Sequence, residues 1–263
     1  MSTRRYQLKP IAQLDAATAC GLRALATDLD DTVTFQGKIP LENMQWLSRL
    51  NQAGIRTFAV TGRPAGFGIA LTQYFDAFEA VIAENGGVIC CEGRCDLLLA
   101  PELMDRVGPR LAEVFATLRE RLPHLRPDPG TFARITEQVF MRKGLQPGDL
   151  ELIERVSAEN GLAVVTSSIM VHINSGSADK ARSLSAVLDQ RLGGYEPEQV
   201  ITVGDSPNDS SMFDSALFPI SAGVANIEDF AEQMPHLPAY IADLPQGQGF
   251  GQICERILRL REN

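Results

Sequence analysis

A short apolar segment that ends in three carboxylates constrains the fold of this chain more than any other stretch. The mostly apolar residues 22–26 lead into Asp28, and Asp30 and Asp31 follow directly. An unpaired buried carboxylate is costly, so a buried strand does not end this way for packing reasons. Side chains two apart on a strand point the same way. Asp28 and Asp30 therefore predict a site for a hard cation such as Mg²⁺ at a strand end, with an Asp-rich helix-capping turn as the alternative.

The segments on both sides of this strand predict a parallel sheet. A helical pattern at 41–50 ends at Gly54, a strand follows at 57–60, and a short helix leads to a strand at 80–83. This order is typical of a Rossmann-like, doubly wound α/β fold. The same pattern resumes with a helix after Lys180, a strand at 199–203, short strands at 218–220 and 240–242, and a final amphipathic helix through Leu260.

The middle of the chain has a different pattern. It predicts paired strands at 88–91 and 96–99, and a helix face along 103–122 that starts anew at Pro109. A hairpin at 132–135 and 138–141, a helix at 149–159 and strands at 163–166 and 169–173 follow. Hairpins that alternate with helices indicate a separate α+β unit. We therefore predict a catalytic core made of residues 1–87 and 176–263, with an inserted α+β cap at 88–175.

Charge and hydropathy exclude several classes of protein. The formal net charge of −9 argues against a nucleic-acid partner and against an anionic membrane surface. No apolar run approaches the roughly 20 residues of a membrane span. The first ten residues are not followed by the apolar region of a signal peptide. We therefore expect a cytoplasmic protein with no membrane partner, whose oligomeric state the sequence leaves open.

The five cysteines do not form a convincing metal motif. Cys90, Cys91 and Cys95 are clustered, but no second C-x-x-C and no nearby pair of histidines accompanies them. Cys90 and Cys91 also continue an apolar strand pattern. We expect free structural thiols rather than a zinc site, as an odd number of cysteines in a cytosolic chain suggests.

Four polar groups follow strands or begin a helix of the predicted parallel core. They are the segments 28–32, 61–63 and 204–209, and the single residue Lys180. Taken alone, Thr61 is typical of a helix N-cap, Lys180 of a solvated surface lysine, and 204–209 of a capping turn. Together they supply carboxylates for a cation, a hydroxyl and amides for an anion, and one ammonium. This combination predicts phosphoryl transfer, in which positioning and electrostatics supply most of the catalysis.

The order of these motifs resembles that of the haloacid dehalogenase superfamily of phosphohydrolases over nearly the whole chain. The D-x-D-x-T signature is matched by Asp28, Asp30 and Thr32, the second-motif threonine by Thr61, the third-motif lysine by Lys180, and G-D-x-x-N-D by Gly204, Asp205, Asn208 and Asp209. The position of the insert is similar to that of the large-capped branch, which includes sucrose-phosphate and mannosyl-3-phosphoglycerate phosphatases. The resemblance implies hydrolysis of a small phosphate monoester, such as a sugar or glycosyl phosphate.

The resemblance also implies roles for single residues. Asp28 is expected to attack phosphorus and form an aspartyl-phosphate, while Asp30 acts as general acid and then as general base. The expected ligands of Mg²⁺ are Asp28, the backbone carbonyl of Asp30, Asp205 and Asp209. The expected phosphate- or substrate-binding residues are Thr61, Gly62, Arg63, Asn85, Lys180 and Asn208. Asp31 stands where relatives often carry Gly or Asn, and we expect a solvent-facing or capping side chain there.

The cap is expected to contact the leaving group. Polar residues on its predicted strands or at their ends are the candidates, namely Arg134, Arg142, His172 and Asn174. Two alternatives remain open. A phosphomannomutase-like phosphotransferase would use the same motifs and return the phosphoryl group to a sugar. A non-catalytic phospho-acceptor, such as a response-regulator receiver, would share the acidic pocket, a Thr and a Lys, but it would lack the second Asp of the signature and the insert. A binding protein with a dead site would be expected to have lost a motif residue, and none is lost here.

Overall fold

A nine-stranded sheet forms the centre of the computed structural model, which describes residues 8–190 and 194–262. Twelve strands lie in these described residues: β1 (Lys9–Pro10), β2 (Ala24–Thr27), β3 (Arg56–Val60), β4 (Ala80–Ala83), β5 (Val88–Cys91), β6 (Arg94–Leu97), β7 (Glu137–Met141), β8 (Ala163–Thr166), β9 (Met170–Asn174), β10 (Val200–Gly204), β11 (Ile220–Gly223) and β12 (Tyr240–Ile241). The α-helices of the same residues are α1 (Ala16–Gly21), α2 (Leu41–Gln52), α3 (Ala65–Tyr74), α4 (Pro101–Arg121), α5 (Asp149–Glu159), α6 (Lys180–Gln190) and α7 (Gln246–Arg261).

The large sheet has the order β1-β12-β11-β10-β2-β3-β4-β5-β6, and its neighbours from β1 to β4 are all parallel. Helices α1, α2, α3 and α7 pack on one face, and α6 packs on the other. Strands β2 and β10 are fully buried, which explains why they read as unbroken apolar runs rather than as alternating patterns. The predicted Rossmann-like α/β fold is confirmed.

The predicted start of the insert is wrong by about one hairpin. Strands β5 and β6 extend the core sheet, because β5 pairs antiparallel with β4 and β6 with β5. The reason is the short turn at 84–87, which reverses the chain and returns it alongside β4. We therefore use the name cap for residues 98–175. The cap contains a three-stranded antiparallel sheet of order β7-β9-β8, and α4 and α5 share a hydrophobic cluster with it.

Three local predictions also need correction. Helix α4 runs through Pro109 without a new start, because its apolar face, which includes Val107 and Leu111, packs continuously on the cap sheet. The segment predicted as the first strand of a hairpin contains a 3₁₀-helix at Thr131–Ala133, with Phe132 92% exposed. Strand β7 pairs instead with the distant β9.

The prediction of free thiols is wrong for one pair of cysteines. Cys90 and Cys95 lie directly opposite each other on β5 and β6 and form a disulfide, whereas Cys20, Cys91 and Cys254 are free. Sequence spacing alone could not reveal this, because the pairing depends on the register of the hairpin. No helix within the described ranges 8–190 and 194–262 is long and apolar enough to cross a membrane. The expected absence of a signal peptide was argued from the first ten residues, of which residues 1–7 lie outside those ranges.

Candidate active site

The polar groups singled out in the sequence meet at the carboxyl edge of the core sheet. Asp28 follows β2, Thr61 follows β3 and Asp205 follows β10, and the sheet places β2 between the other two strands. Lys180 is the first residue of α6, whose start is capped by Asp179 through a bond from the Arg182 amide. Parallel strands thus bring together residues that are far apart in sequence.

Lys180 is the electrostatic centre of this group. Its buried Nζ donates to Oδ1 of Asp28 at 2.6 Å and to Oδ1 of Asp209 at 2.7 Å. Burial alone would lower the pKa of Lys180, but the two carboxylates outweigh burial and raise it, so the side chain is a cation. Burial is also the main reason why the pKa values of Asp28 and Asp205 lie well above the ordinary range.

Three buried carboxylates form a compact cluster. Ligand atoms of Asp28, Asp205 and Asp209 all lie within 4.8 Å of one another. Asp205 is held by Thr32, whose Oγ1 donates to Oδ1 at 2.9 Å, and by Asn226, whose Nδ2 donates to Oδ2 at 2.9 Å. The donor set consists of carboxylate oxygens with lone pairs to spare, which is the chemistry of a site for a hard divalent cation.

The loop after β10 fixes Asp209 through a capping box. Oδ2 of Asp209 accepts from the amides of Asp205 at 2.9 Å and of Ser206 at 3.1 Å, at the start of the 3₁₀-helix Pro207–Phe213. A Cβ on Gly204 would lie 2.6 Å from Cγ of Asp209, so only glycine allows this close approach. The close approach of Asp209 to Gly204 therefore explains why the G-D-x-x-N-D motif begins with glycine and has aspartate five residues later.

The side chain of Asp30 pairs with Arg63 and not with the residues of the acidic cluster. Arg63 donates to it in a bidentate pair, from Nε to Oδ2 and from Nη2 to Oδ1, both at 2.6 Å. Arg63, predicted to bind substrate, is thus engaged with the predicted acid–base residue. The hydroxyl of Thr61 is buried and accepts from the Arg63 amide at 3.1 Å.

The sequence predicts that Asn85 and Asn208 bind phosphate or substrate. In the structure these two side chains bond to each other. Nδ2 of Asn208 donates to Oδ1 of Asn85 at 3.0 Å, and Oγ of Ser206 donates to Oδ1 of Asn208 at 2.8 Å. Nδ2 of Asn85 donates onward to Oε2 of Glu137 in the cap at 3.1 Å. A chain of side-chain hydrogen bonds therefore connects the β10 loop to the cap.

The four candidate residues of the cap have different positions. His172 lines a small cavity of about 10 Å³; the other residues around this cavity are Asp28, Asp30, Gly62, Ser167, Ser168, Met170, Ser206 and Asn208. Arg134 pairs with Asp128 and Glu137 and donates to the Gly62 carbonyl at 2.9 Å.

The remaining two candidates do not line the cavity. Arg142 donates to the Ser167 carbonyl at 2.8 Å, and its guanidinium carbon lies 5.6 Å from the ring centre of Phe230. Oδ1 of Asn174 accepts from the Gly176 amide at 2.8 Å, at the return to the core. Both residues therefore have structural contacts in this arrangement.

Sequence reasoning missed several residues that shape the site. Glu84 and Glu137 are buried acids that connect core and cap, and Asn226 orients Asp205. The only sequence signal was that Glu84 opens the hinge-like segment Glu84-Asn85-Gly86-Gly87. Asp31 has a φ of 57°, and its Oδ1 accepts from Gln246. A left-handed turn position favours Gly, Asn or Asp, so the aspartate at position 31 suits this backbone conformation.

Comparison with known proteins agrees with this geometry. Residues 25–105 and 148–230 match the family model described as haloacid dehalogenase-like hydrolase. A phosphoglycolate phosphatase of Methanothermobacter thermautotrophicus is 26% identical over 238 residues, which cover 90% of this chain and 99% of that protein. A phosphoglycolate phosphatase of Halorubrum lacusprofundi is 30% identical over 215 residues, covering 80% of this chain and 87% of that protein.

A solved structure supports the fold. The sucrose-phosphatase of Synechocystis, in complex with sucrose and phosphate, has a TM-score of 0.62 at 19% identity and covers 90% of this chain and 97% of that chain. The family match spans more than half of the chain, and the motif residues lie together at the carboxyl edge of the core sheet. The chain therefore belongs to the haloacid dehalogenase-like hydrolases, and it is a phosphatase that acts on phosphate monoesters.

Proposed function

We propose that this protein is a Mg²⁺-dependent phosphatase that hydrolyses a small phosphate monoester through an aspartyl-phosphate on Asp28. The observation that carries the proposal is the contact of one buried ammonium, Lys180, with both Asp28 and Asp209, next to Asp205. This arrangement combines a nucleophile, a counter-charge for phosphoryl oxygens and a set of cation ligands. The catalytic power would come from positioning and electrostatics.

The first half-reaction would use Asp28 and Asp30. A carboxylate oxygen of Asp28 attacks phosphorus, the ester P–O bond breaks, and Asp30 gives its proton to the departing alkoxide. In the second half-reaction Asp30 takes a proton from water as that water attacks the same phosphorus. Inorganic phosphate leaves and the carboxylate of Asp28 is restored. Lys180 and Thr61 would hold phosphoryl oxygens during both steps.

The Arg63 pair sets a condition on this mechanism. Both oxygens of Asp30 accept from Arg63, so neither is free to donate a proton in this arrangement. The arrangement suits the second half-reaction, in which Asp30 accepts a proton. Delivery of a proton in the first half-reaction requires at least one of these bonds to open, so we expect Arg63 to shift when the ester binds.

The acidic cluster fits Mg²⁺ through its donor chemistry. Asp28, Asp205 and Asp209 would hold the ion, together with the backbone carbonyl of Asp30 that the family resemblance implies. When bound, the ion supplies positive charge that reduces the repulsion between the carboxylate of Asp28 and a phosphate dianion.

The cavity beside Asp28 is nearly closed in this arrangement. Its volume of about 10 Å³ is no more than one water molecule needs, so the cap would have to shift before any ester binds, and the cavity does not by itself select the size of the leaving group. Relatives that align over most of their length bear the name phosphoglycolate phosphatase. We therefore propose an ester whose leaving group has only a few non-hydrogen atoms. The sugar or glycosyl phosphate suggested by the sequence stays a prediction that would require a wider opening of the cap.

A substrate panel tests the proposed function. Purified protein would be assayed for phosphate release from phosphoglycolate, glucose 6-phosphate, trehalose 6-phosphate and sucrose phosphate, with Mg²⁺ and after chelation. We expect the highest kcat/KM for phosphoglycolate, complete loss with chelator and recovery with Mg²⁺. Asp28→Asn should abolish turnover, whereas Asp30→Asn should retain phosphoenzyme formation.

Two results would overturn the mechanism. Full turnover in rigorously metal-free buffer would contradict the role of the acidic cluster. Near-normal rates in Asp28→Asn would contradict the assignment of the nucleophile. Transfer of labelled phosphate to a sugar without release of inorganic phosphate would instead favour the phosphotransferase alternative.

A further inference from the structure

We propose that Arg134 is a positioning residue of the cap, which holds the peptide after Gly62 and thereby orders the phosphate-binding loop of the core. The inference rests on the proposed phosphatase function and deepens it, because it gives the cap a part in binding the phosphoryl group as well as the leaving group. Three observations support it: the anchoring of the guanidinium, the unpartnered amide of Gly62, and the close packing around their contact.

The guanidinium of Arg134 is anchored inside the cap. Its side chain is fully buried. Nε and Nη2 donate to Oδ2 of Asp128 at 2.9 and 2.6 Å, and Nη1 donates to Oε1 of Glu137. Both carboxylates are buried as well. Because the guanidinium is a planar fork of donors, these bonds leave it a single orientation. Any further bond from this group therefore has a fixed direction.

One such bond crosses from the cap to the core. Nη1 of Arg134 donates to the carbonyl of Gly62 at 2.9 Å. The amide of the same peptide belongs to Arg63 and donates to Oγ1 of Thr61 at 3.1 Å. The peptide between Gly62 and Arg63 is thus held on both sides, once by the core and once by the cap. Glycine restricts its own dihedral angles less than any other residue, so this peptide depends on those two bonds for its orientation.

The amide of Gly62 is a donor without a partner. The carbonyl of Thr61 accepts from the Asn85 amide at 3.0 Å. The N–H of a trans peptide points opposite to its C=O, so the Gly62 N–H is directed away from Asn85. It donates to no acceptor within residues 8–190 and 194–262, and Gly62 lines the cavity beside Asp28. A free backbone N–H in this place is suited to a phosphoryl oxygen.

The chain around this contact is closely packed. A Cβ built on Gly66 would lie 2.9 Å from Cβ of Ala133, and one built on Gly130 would lie 3.0 Å from Cγ of Pro64. Each glycine belongs to one side of the boundary, and each permits an approach that a larger residue would hinder. The bond from Arg134 is therefore one contact within a fitted interface between the cap and the loop after β3.

This loop carries several groups that the proposed mechanism needs. They are the amide of Gly62, the hydroxyl of Thr61 and the side chain of Arg63, which pairs with Asp30. Without the bond from Arg134, a bound phosphate would have to order the loop itself, and its affinity would fall. A cap residue that contacts only the leaving group would leave that affinity unchanged. Inorganic phosphate has no leaving group, so it separates the two roles.

Binding of inorganic phosphate to the full-length protein in Mg²⁺ tests the inference by titration calorimetry. Arg134→Gln should raise the Kd of phosphate about 10- to 100-fold. It should lower kcat/KM by a similar factor for phosphoglycolate and for p-nitrophenyl phosphate, because these esters share the phosphoryl group. Arg106→Gln is the matched control and should change neither quantity, since Arg106 is an exposed cap arginine whose Nε donates to the Glu102 carbonyl within α4.

Two milder variants decide the matter if Arg134→Gln does not fold, since that variant leaves two buried carboxylates without their cation. Arg134→Lys keeps the charge, but its three donors share one nitrogen and do not reproduce the fork. It should recover much of the unfolding free energy measured in urea and still bind phosphate weakly. Asp128→Asn keeps the pair of Arg134 and Glu137 and loosens one anchor. It should raise the Kd of phosphate about threefold.

The outcomes separate the inference from the proposed function. An unchanged Kd of phosphate in Arg134→Lys and Asp128→Asn, or an equal rise in Arg106→Gln, would overturn the inference and leave a phosphatase. So would losses in kcat/KM that differ widely between the two esters. A parent protein that binds phosphate but hydrolyses no ester, or an Asp28→Asn variant with normal rates, would instead overturn the proposed function. The calorimetric measurement needs no turnover, so the two failures are distinguishable.

Discussion

Replacing Glu84 by Gln should weaken the attachment of the cap to the core. Glu84 is fully buried, and its carboxylate accepts from both parts of the chain. From the core, the Ala65 amide at the start of α3 donates at 3.1 Å. From the cap, the Ile135 amide donates at 3.0 Å, and Thr136 donates from its amide at 2.6 Å and from Oγ1 at 2.8 Å. Glu84→Gln keeps the volume of the side chain but halves its acceptor capacity.

The size of the effect follows from these four donors. A carboxylate has about four lone-pair sites, whereas a glutamine amide has two and turns its NH₂ group toward the remaining donors. Two charge-assisted hydrogen bonds are therefore lost, at about 1.5–3 kcal/mol each. The loss is partly offset because the variant no longer buries a charge. We expect the free energy of unfolding to fall by about 3 kcal/mol.

Urea denaturation measures this free energy, and amide hydrogen exchange locates its origin. Exchange should accelerate at Ile135 and Thr136, whose amides lose an acceptor in the variant. Glu113→Gln, at an exposed position on α4, is the matched control and should change neither quantity. If Glu84→Gln unfolded within about 0.5 kcal/mol of the parent and exchange at both amides stayed the same, the carboxylate would not hold the cap.

The pH dependence of the same variant gives a second check. Burial and the nearby charge of Glu137 raise the pKa of Glu84 above its ordinary value of 4.5. A group whose pKa rises on folding stabilises the protein fully below its unfolded pKa, and this contribution is lost as the pH rises through its folded pKa. The difference in stability between parent and Glu84→Gln should therefore be larger near pH 4.5 than at pH 7. A difference that grew with pH would contradict the raised pKa.

Two further predictions concern a pair of glycines, Gly87 and Gly108, and the disulfide between β5 and β6. A methyl group on Gly87 would collide with the Thr136 hydroxyl, so Gly87→Ala should destabilise the protein by about 1–3 kcal/mol. Gly108→Ala on α4, with no atom within 4 Å of an added Cβ, should instead stabilise it by about 0.5–1 kcal/mol; urea denaturation of both variants checks the contrast. Reduction of the disulfide between β5 and β6 should lower the unfolding free energy by about 2 kcal/mol, and Cys95→Ser should make stability insensitive to reductant.

The features that sequence predicted well are those encoded in short segments. The strand that ends in Asp28, the strand at 80–83 and the helix at 149–159 depend on local periodicity, and the structure has them at the predicted places. The convergence of Asp28, Lys180 and Asp209 was also predictable, because a parallel sheet brings the carboxyl ends of its strands to one edge.

The features that sequence did not predict depend on pairing between distant segments. The bonds of Glu84 to Ile135 and Thr136 span 51 and 52 residues. Apart from its place at the start of the hinge-like segment 84–87, nothing near Glu84 in the sequence distinguishes it from a surface acid. The disulfide between β5 and β6 required the register of a hairpin, and the hairpin itself was assigned to the wrong unit because its strands have the same local pattern in either place.

The two buried glutamates at this boundary have complementary effects on the cap. Glu84 bonds to the backbone of the cap and so determines where the cap lies, whereas Glu137 bonds to the side chains of Arg134, His172 and Asn85 and so determines which groups face the cavity. Both carboxylates would be very costly to bury without these donors. If the cap opened, water would replace the lost donors, so the charged groups would oppose opening by much less than the gross strength of their hydrogen bonds. A mobile cap would therefore be compatible with contacts that orient the site in the arrangement described here.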